Sequence, residues 1–256
     1  MDRNMKTKIC GVKQVIDGLE AAKQGANFIG MIFAPSPRCI EITTAQDLIS
    51  SVKATLPPNI ANIHLDKLDA SKYNFALKTE NQRWFRDYSA LVDQIDGQRP
   101  LFVGVFSNQS VDYIKKVCEQ VDLDIIQLHG SEPLEIIDQL PKPVTKVFQV
   151  GSDFLPSNEI GTGGKHAFVL LDTKVEGQNV QGGHGVSFDW KIAKNVSEQF
   201  GINLILAGGL TPENVDAAIH EGKPWGVDVS SGVETNTKGV KDFEKIKSFI
   251  SNAKSA

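Results

Sequence analysis

The chain has 256 residues, which fits one α/β barrel of about 250 residues or two smaller domains. Its 27 Lys and Arg residues against 31 Asp and Glu residues give a formal charge of −4, so we expect no nucleic-acid partner. An apolar fraction of 41% is ordinary for a folded protein, and no apolar run approaches the roughly 18 residues that span a bilayer, so we expect no membrane partner.

The first residues and the cysteines favour a reducing compartment. Residues 1–12 hold no apolar core of the length found in secretory signals, about 7–15 residues. Cys10, Cys39 and Cys118 are an odd number without a CxxC pair, which disfavours a disulfide framework and a zinc knuckle. We therefore expect a cytoplasmic protein.

Eight short runs of β-branched and apolar residues predict strands. Several runs are apolar almost throughout, as expected of parallel strands that are buried on both faces. The runs are residues 6–10, 28–33, 101–106, 124–128, 145–150, 167–171, 203–207 and 226–230.

Amphipathic helices are predicted between the strands. Ser110 is the expected N-cap of one helix, and Pro212 is expected at the first helical position of another. The predicted helical faces are Val15, Leu19, Ala22 and Gly25; Val111, Ile114, Val117, Cys118 and Val121; and Val215, Ala218 and Ile219.

The spacing of the strands predicts a closed (β/α)8 barrel that spans residues 1–256. Five of the seven steps between strand starts are 21–23 residues long, the length of one βα unit. An open doubly wound sheet is the competing assembly, and the lack of a GxGxxG turn favours the barrel.

The long step between the second and third strands predicts an insertion over residues 57–100. A helix is expected there behind a capping box formed by Thr79 and Gln82. The insertion joins a helix to the start of a strand, so it should lie at the N-terminal face of the barrel, where its helix is either a cover or a partner-binding helix. The apolar face of this helix is predicted to contain Trp84, Tyr88, Leu91 and Ile95.

Candidate catalytic residues follow the predicted strands, because barrel enzymes place their active sites at the C-terminal ends of the strands. Cys10 ends the first strand and Asp172 follows the sixth. A thiolate in a cationic pocket can act as a base, and a carboxylic acid facing the same mouth can act as an acid. Each residue alone has a structural reading, as a buried small hydrophobe or a loop cap.

A phosphate site is predicted between the last two loops. Gly208 and Gly209 let backbone N–H groups approach an anion, and Ser230, Ser231 and Gly232 add further N–H groups and hydroxyls. Barrels frequently hold a phosphate at this position, although plain turn glycines are the alternative.

Other polar residues at the strand ends are candidates for substrate binding. Arg38 follows two prolines and could clamp a carboxylate or phosphate, or remain a solvated loop residue. Asp228 lies within the last strand and should be hydrogen-bonded. His129 and His184 lie on catalytic-side segments without metal-ligand spacing, so we expect no metal.

Taken in order across nearly the whole chain, short segments of the sequence resemble phosphoribosylanthranilate isomerase, an enzyme family of tryptophan biosynthesis. The 57–100 insertion lies outside the resemblance. The matching stretches are Lys8-Ile9-Cys10-Gly11, Phe28-Ile29-Gly30, Phe33-Ala34-Pro35-Ser36-Pro37-Arg38, Gln127-Leu128-His129-Gly130, Leu171-Asp172, Gly182-Gly183-x-Gly185, Phe188-Asp189-Trp190, Ala207-Gly208-Gly209-Leu210, Pro212-Glu213-Asn214-Val215 and Asp228-Val229-Ser230-Ser231-Gly232-Val233-Glu234.

The resemblance implies a cofactor-free Amadori rearrangement of N-(5-phosphoribosyl)anthranilate. It assigns the general base to Cys10, the general acid to Asp172 and the contact with the anthranilate group to Arg38. His184 and Val186 depart from the residues that the family often carries in the glycine-rich segment 174–187. The glycines of this segment predict either a lid or an ordinary flexible loop. We expect a monomer that binds a small phosphorylated substrate.

Two alternatives remain. Another phosphate-binding barrel, such as a pentose-phosphate epimerase or an indole-forming synthase, would call for metal-binding residues or an added lysine–glutamate set. A barrel that only binds a phosphorylated metabolite would have no use for an acid and a base.

Overall fold

The computed structural model describes residues 5–174 and 188–256, and in them eight parallel strands close into a barrel in chain order. The predicted (β/α)8 barrel is confirmed, and every observed strand end lies within two residues of its prediction. Most of the glycine-rich segment, with His184 and Val186, lies outside the described residues. The strands are β1 Lys6–Ile9, β2 Phe28–Ile32, β3 Leu101–Phe106, β4 Ile125–Leu128, β5 Val144–Val150, β6 Phe168–Thr173, β7 Leu204–Leu206 and β8 Gly226–Val229.

Helices surround this barrel, and none in the described residues is long and apolar enough to span a membrane. Short 3-10 helices, Leu134–Gln139 and Asn158–Gly161, follow β4 and β5 in place of α-helices. The α-helices are α1 Val15–Lys23, α2 Ile42–Ala54, α3 Pro58–Ala61, α4 Lys78–Ile95, α5 Val111–Gln120, α6 Lys191–Phe200, α7 Val215–Gly222 and α8 Phe243–Ser255.

The helix starts confirm one predicted cap and correct two. The Ser110 side chain accepts a hydrogen bond from the Tyr113 N–H at the start of α5, as predicted. The capping box at Thr79 is wrong, because α4 begins two residues earlier than that box predicts, with Leu77 as N-cap. Pro212 is not the first helical residue of α7, because residues 211–214 form a turn in which the Asn214 side chain accepts the Thr211 N–H.

The interior of the barrel is filled in layers. Val147, Leu170 and Ile205 pack together from three adjacent strands. Because side chains alternate along a strand, residues two positions further on, such as Asp172, face the same interior, one layer nearer the C-terminal mouth. The strand register thus directs Asp172 into the mouth.

Helix α4 of the 57–100 stretch covers the opposite, N-terminal end of the barrel, as the chain order predicts. The Trp84 indole donates to the backbone carbonyl of His166, just before β6, at 2.8 Å. The Tyr88 ring packs on Phe168 with ring centroids 5.7 Å apart. The ammonium of Lys6, whose side chain is 2% exposed, pairs with Asp93 of α4 at 2.8 Å and with Asp96, directly after the helix, at 2.7 Å. The helix therefore closes the core and neutralises a buried charge.

Two buried groups have pKa values that give opposite pH dependences to stability. His166 is fully buried at the base of β6, and burial lowers the pKa of its imidazole to about 4. Asp17 on α1 is 3% exposed, and burial raises the pKa of its carboxyl to about 6. The unfolded chain therefore binds more protons at His166 between pH 6.5 and about 4, whereas the folded chain binds more at Asp17 between pH 3.8 and about 6.

We expect the His166→Gln protein to lose less stability on acidification than the wild type. The free energy of unfolding falls with falling pH through His166 and rises through Asp17, so the two contributions largely offset each other. On acidification, His166 lowers the free energy of unfolding by about 3 kcal/mol, and His166→Gln abolishes this contribution. Asp17→Asn should have the opposite effect on the slope of the free energy of unfolding against pH. Urea unfolding between about pH 4 and 7 measures both slopes. Identical slopes in His166→Gln and wild type would refute the assignment.

Candidate active site

Cys10 lies at the mouth of the barrel beside a buried charge pair. Its backbone N–H donates to the Val229 carbonyl at 2.8 Å, and its side chain is buried. Lys8, two residues earlier on the same face of β1, forms a salt bridge of 3.0 Å with Asp228 of β8. Gly30 makes room for this group, because a Cβ there would lie 2.8 Å from the Cys10 sulfur and 3.2 Å from Lys8 Cε.

Burial and the main neighbouring charge have opposite effects on the pKa of Cys10, and likewise on the pKa of Lys8. Burial raises the pKa of the Cys10 thiol, and the Lys8 ammonium opposes this shift without cancelling it. Burial would lower the pKa of Lys8, but attraction to Asp228 and then to Cys10 outweighs burial, so the pKa of Lys8 is raised. The resting site therefore holds a neutral thiol beside an ammonium–carboxylate pair, and Lys8 favours the thiolate when it forms.

Asp172 forms a second group with residues of β4. One carboxylate oxygen accepts the Thr173 N–H at 2.9 Å, and the other lies 3.0 Å from His129 Nε2. Gln127, which precedes His129 by two residues and shares its face of the strand, places its amide nitrogen 3.1 Å from His129 Nδ1. The structure therefore brings the predicted residues Asp172 and His129 into direct contact.

Arg38 belongs to a third group that joins the second and eighth loops. Its guanidinium bonds to Glu234 through Nε at 2.6 Å and through Nη2 at 2.9 Å. Lys241 also contacts the Glu234 carboxylate at 3.3 Å and donates to the Ser230 carbonyl at 2.9 Å. Burial opposes ionisation of Glu234, but these cations lower the pKa of its carboxyl. Arg38 is thus buried and held in place, unlike a solvated loop arginine.

The predicted phosphate residues converge where β7 and β8 end. Gly208 and Gly209 have φ of 88° and 65°, a left-handed conformation that turns successive N–H groups toward one side. A Cβ at Gly208 would collide with the Thr173 hydroxyl of β6. Ser230 follows β8, and Ser231 and Gly232 begin a short 3-10 helix, Ser231–Val233. The two loops adjoin each other, since a Cβ at Gly232 would meet the Leu210 carbonyl, and they offer backbone N–H groups of the kind that bind an anion.

Several buried polar atoms near this mouth have no hydrogen-bond partner among residues 5–174 and 188–256. Such atoms cost free energy unless a ligand or water satisfies them, so they favour a polar, hydroxyl-bearing substrate. They are Gln127 Oε1, Gln149 Nε2, Thr173 Oγ1 and Ser230 Oγ.

Comparison with known proteins decides the family. The family model described as N-(5'-phosphoribosyl)anthranilate (PRA) isomerase matches residues 61–252. A curated protein of this name from Wickerhamomyces anomalus is 39% identical over 252 residues, which cover 97% of this chain and 99% of that protein. The chain belongs to the PRA isomerase family. This membership confirms the resemblance found in the sequence motifs.

Other PRA isomerase relatives extend the comparison. The "multifunctional tryptophan biosynthesis protein" of Phycomyces blakesleeanus is 37% identical over 100% of this chain, which spans only 33% of that protein. A solved PRA isomerase in complex with reduced 1-(o-carboxyphenylamino)-1-deoxyribulose 5-phosphate has 30% identity and a TM-score of 0.65, covering 98% of this chain and 100% of that chain. In both cases the likeness covers nearly the whole of this chain.

Sequence reasoning did not single out Lys8, Gln127 or Glu234. The first two lie two residues before Cys10 and His129, so the alternation of strand side chains was a signal that could have found them. Glu234 meets Arg38 across 196 residues of chain, and no local pattern predicts such a contact.

Proposed function

We propose that this chain catalyses the Amadori rearrangement of N-(5-phosphoribosyl)anthranilate to 1-(2-carboxyphenylamino)-1-deoxyribulose 5-phosphate. The observation that carries the proposal is one mouth that holds a buried thiol, Cys10, a hydrogen-bonded carboxyl, Asp172, and an anion-binding backbone between β7 and β8. An acid, a base and a phosphate anchor are the parts that this reaction needs. The solved relative with a bound reduced deoxyribulose 5-phosphate supports the same substrate class.

Asp172 is the proposed general acid. It donates its proton to the furanose ring oxygen as the C1–O bond breaks, and the nitrogen lone pair forms the C1=N bond of a protonated Schiff base. The Gln127–His129 pair holds this carboxyl in place: His129 Nε2 lies 3.0 Å from Asp172, and the Gln127 amide nitrogen lies 3.1 Å from His129 Nδ1.

Cys10 is the proposed general base. The Cys10 thiol first loses its proton to solvent, and the thiolate then takes the proton from C2. The C2–H electrons form a C1=C2 bond while the C1=N electrons return to nitrogen, which gives an enolamine. Loss of the C2 hydroxyl proton and protonation of C1 then give the ketone, so the oxidation at C2 balances the reduction at C1. The Lys8 ammonium stabilises the thiolate, and no external oxidant or cofactor enters the scheme.

The remaining predicted residues are proposed to bind the substrate. The backbone of Gly208, Gly209, Ser230, Ser231 and Gly232 would hold the phosphate, anchoring the sugar between acid and base. The five residues lie on two adjacent loops, as a shared anion site requires.

The anthranilate group is proposed to lie near Arg38. The guanidinium is held by Glu234 beside the eighth loop, so its remaining N–H groups have a fixed direction toward a carboxylate. Asp228 would act indirectly, by fixing the Lys8 ammonium next to the base. His129 would bind at the sugar end of the substrate indirectly, by holding the Asp172 carboxyl through its Nε2.

A direct assay tests the proposed function. Phosphoribosylanthranilate is formed freshly, the purified protein is added, and the loss of anthranilate-type fluorescence is recorded. We expect rapid, enzyme-dependent loss and a product that matches the deoxyribulose 5-phosphate derivative by mass and chromatography. No turnover by the folded protein would refute the proposal.

The monomeric state and the cytoplasmic location stay predictions. Light scattering of the purified chain checks the monomeric state.

A further inference from the structure

Glu132 fills an anion-binding cradle beside the loop that carries His129. Its carboxylate is buried and accepts the Asn108 N–H at 2.7 Å, the Gly130 N–H at 2.9 Å and the Lys146 ammonium at 3.1 Å. Two backbone N–H groups and an ammonium are the donors that proteins commonly offer to a bound anion. Here the chain supplies the anion itself.

These contacts fix the backbone on both sides of His129. The His129 N–H donates to the Phe106 carbonyl of β3 at 2.8 Å. The next residue is held by both of its backbone polar groups, because the Gly130 N–H donates to Glu132 and the Gly130 carbonyl accepts from Lys146 at 3.1 Å. The imidazole therefore extends from a rigid backbone segment, and its Nε2 lies 3.0 Å from the Asp172 carboxylate.

The loop after β3 is hydrogen-bonded to the same Glu132 carboxylate. Asn108 has a φ of 64°, a left-handed conformation that asparagine tolerates. Its side-chain oxygen accepts the Ser131 N–H at 2.8 Å, while its own N–H binds Glu132. Glu132 thus connects the loops after β3 and β4 with Lys146 of β5, three consecutive strands on the His129 side of the mouth.

We infer that Glu132 is a positioning residue, which holds His129 in hydrogen-bonding contact with the acid Asp172. The inference rests on the proposed function. A glutamine at position 132 keeps the size of the side chain but replaces one acceptor oxygen with a donor, so one cradle N–H or Lys146 loses its partner. The segment that carries His129 is then free to shift, and a shift of about 1 Å costs roughly 100-fold in rate.

The test compares Glu132→Gln and Glu132→Ala with Glu135→Gln, a matched control on an exposed glutamate of the same segment. We expect kcat to fall roughly 100-fold in both Glu132 variants, with KM changed far less, and to remain at the wild-type value in the control. Formate or acetate should restore much of the kcat of Glu132→Ala, because a small carboxylate refills the cradle. Wild-type kcat in either folded Glu132 variant would overturn the inference.

A double-mutant cycle separates positioning from a general structural effect. If Glu132 acts through His129, Glu132→Gln should add no further loss of kcat to His129→Ala. Losses that multiply would contradict the inference. An activity-independent readout is the NMR signal of the His129 imidazole, which should shift in Glu132→Gln and not in Glu135→Gln. An inactive wild type would refute the proposed function, whereas an unmoved His129 signal would refute the positioning role alone.

Discussion

The Asp172→Asn protein is expected to rearrange phosphoribosylanthranilate about 10²–10⁴-fold more slowly than the wild type, the range by which general acids contribute. Asparagine keeps the carbonyl oxygen that accepts the Thr173 N–H at 2.9 Å, so the fold around β6 should persist. Its amide cannot give a proton to the ring oxygen at a useful rate. Initial rates of fluorescence loss at low and at saturating substrate measure the effect on kcat/KM and on kcat.

Cys10→Ala should slow the other proton transfer by a similar factor, because the alanine side chain has no group that can accept the proton from C2. The matched control is Cys118→Ala on α5, which lies away from the mouth. Thermal unfolding confirms that each variant is folded. Turnover within about threefold of the wild type in either folded variant would overturn the assigned roles and leave the isomerase activity itself intact.

The proposed acid and the proposed base could be selected from the sequence because a barrel concentrates its chemistry at one end of its strands. Once the eight strands are placed, the residues that follow them are few, and Cys10 and Asp172 stand out. The strand order then brings them to one mouth without any knowledge of long-range contacts.

The supporting contacts could not be predicted in the same way. The Arg38–Glu234 pair and the Lys8–Asp228 pair join residues 196 and 220 positions apart, so only the closed barrel brings them together. The direction of the Cys10 pKa shift likewise depends on burial and on Lys8, which no sequence pattern reports. The predicted start of α7 at Pro212 was wrong because residues 211–214 form a turn instead. In that turn the Asn214 side chain accepts the Thr211 N–H, so the helix begins later.

For the 57–100 insertion, the sequence predicts the helix and its position but not the residues that it contacts. Its helix and its place at the N-terminal face follow from periodicity and chain order, whereas its partners do not. Lys6 is neutralised by carboxylates at the C-terminal end of α4, including Asp93 at 2.8 Å, and Trp84 is anchored to the His166 carbonyl. Removing residues 59–98 would leave the buried ammonium unpaired and the base of the barrel open, so we expect this deletion to reduce stability more than the chemical rate.

Trp84→Ala is the sharper form of this prediction. The Trp84 side chain is 2% exposed, donates a hydrogen bond of 2.8 Å and contacts the Tyr88 ring with centroids 5.1 Å apart. We expect the free energy of unfolding to fall by about 3–5 kcal/mol, as for large aromatic residues truncated in a core. The kcat and KM of the folded fraction should stay near the wild-type values, because the mouth lies at the other end of the strands.

Urea unfolding and steady-state kinetics at a temperature where the variant is folded measure both quantities. Arg86→Ala, at an exposed position of the same helix, is the matched control and should change unfolding by less than about 0.5 kcal/mol. A Trp84→Ala protein with wild-type unfolding and lost turnover would mean that α4 communicates with the mouth through the strands. Loss of stability with turnover preserved would establish that the insertion completes the core of the barrel, with catalysis left to the loops at the opposite end.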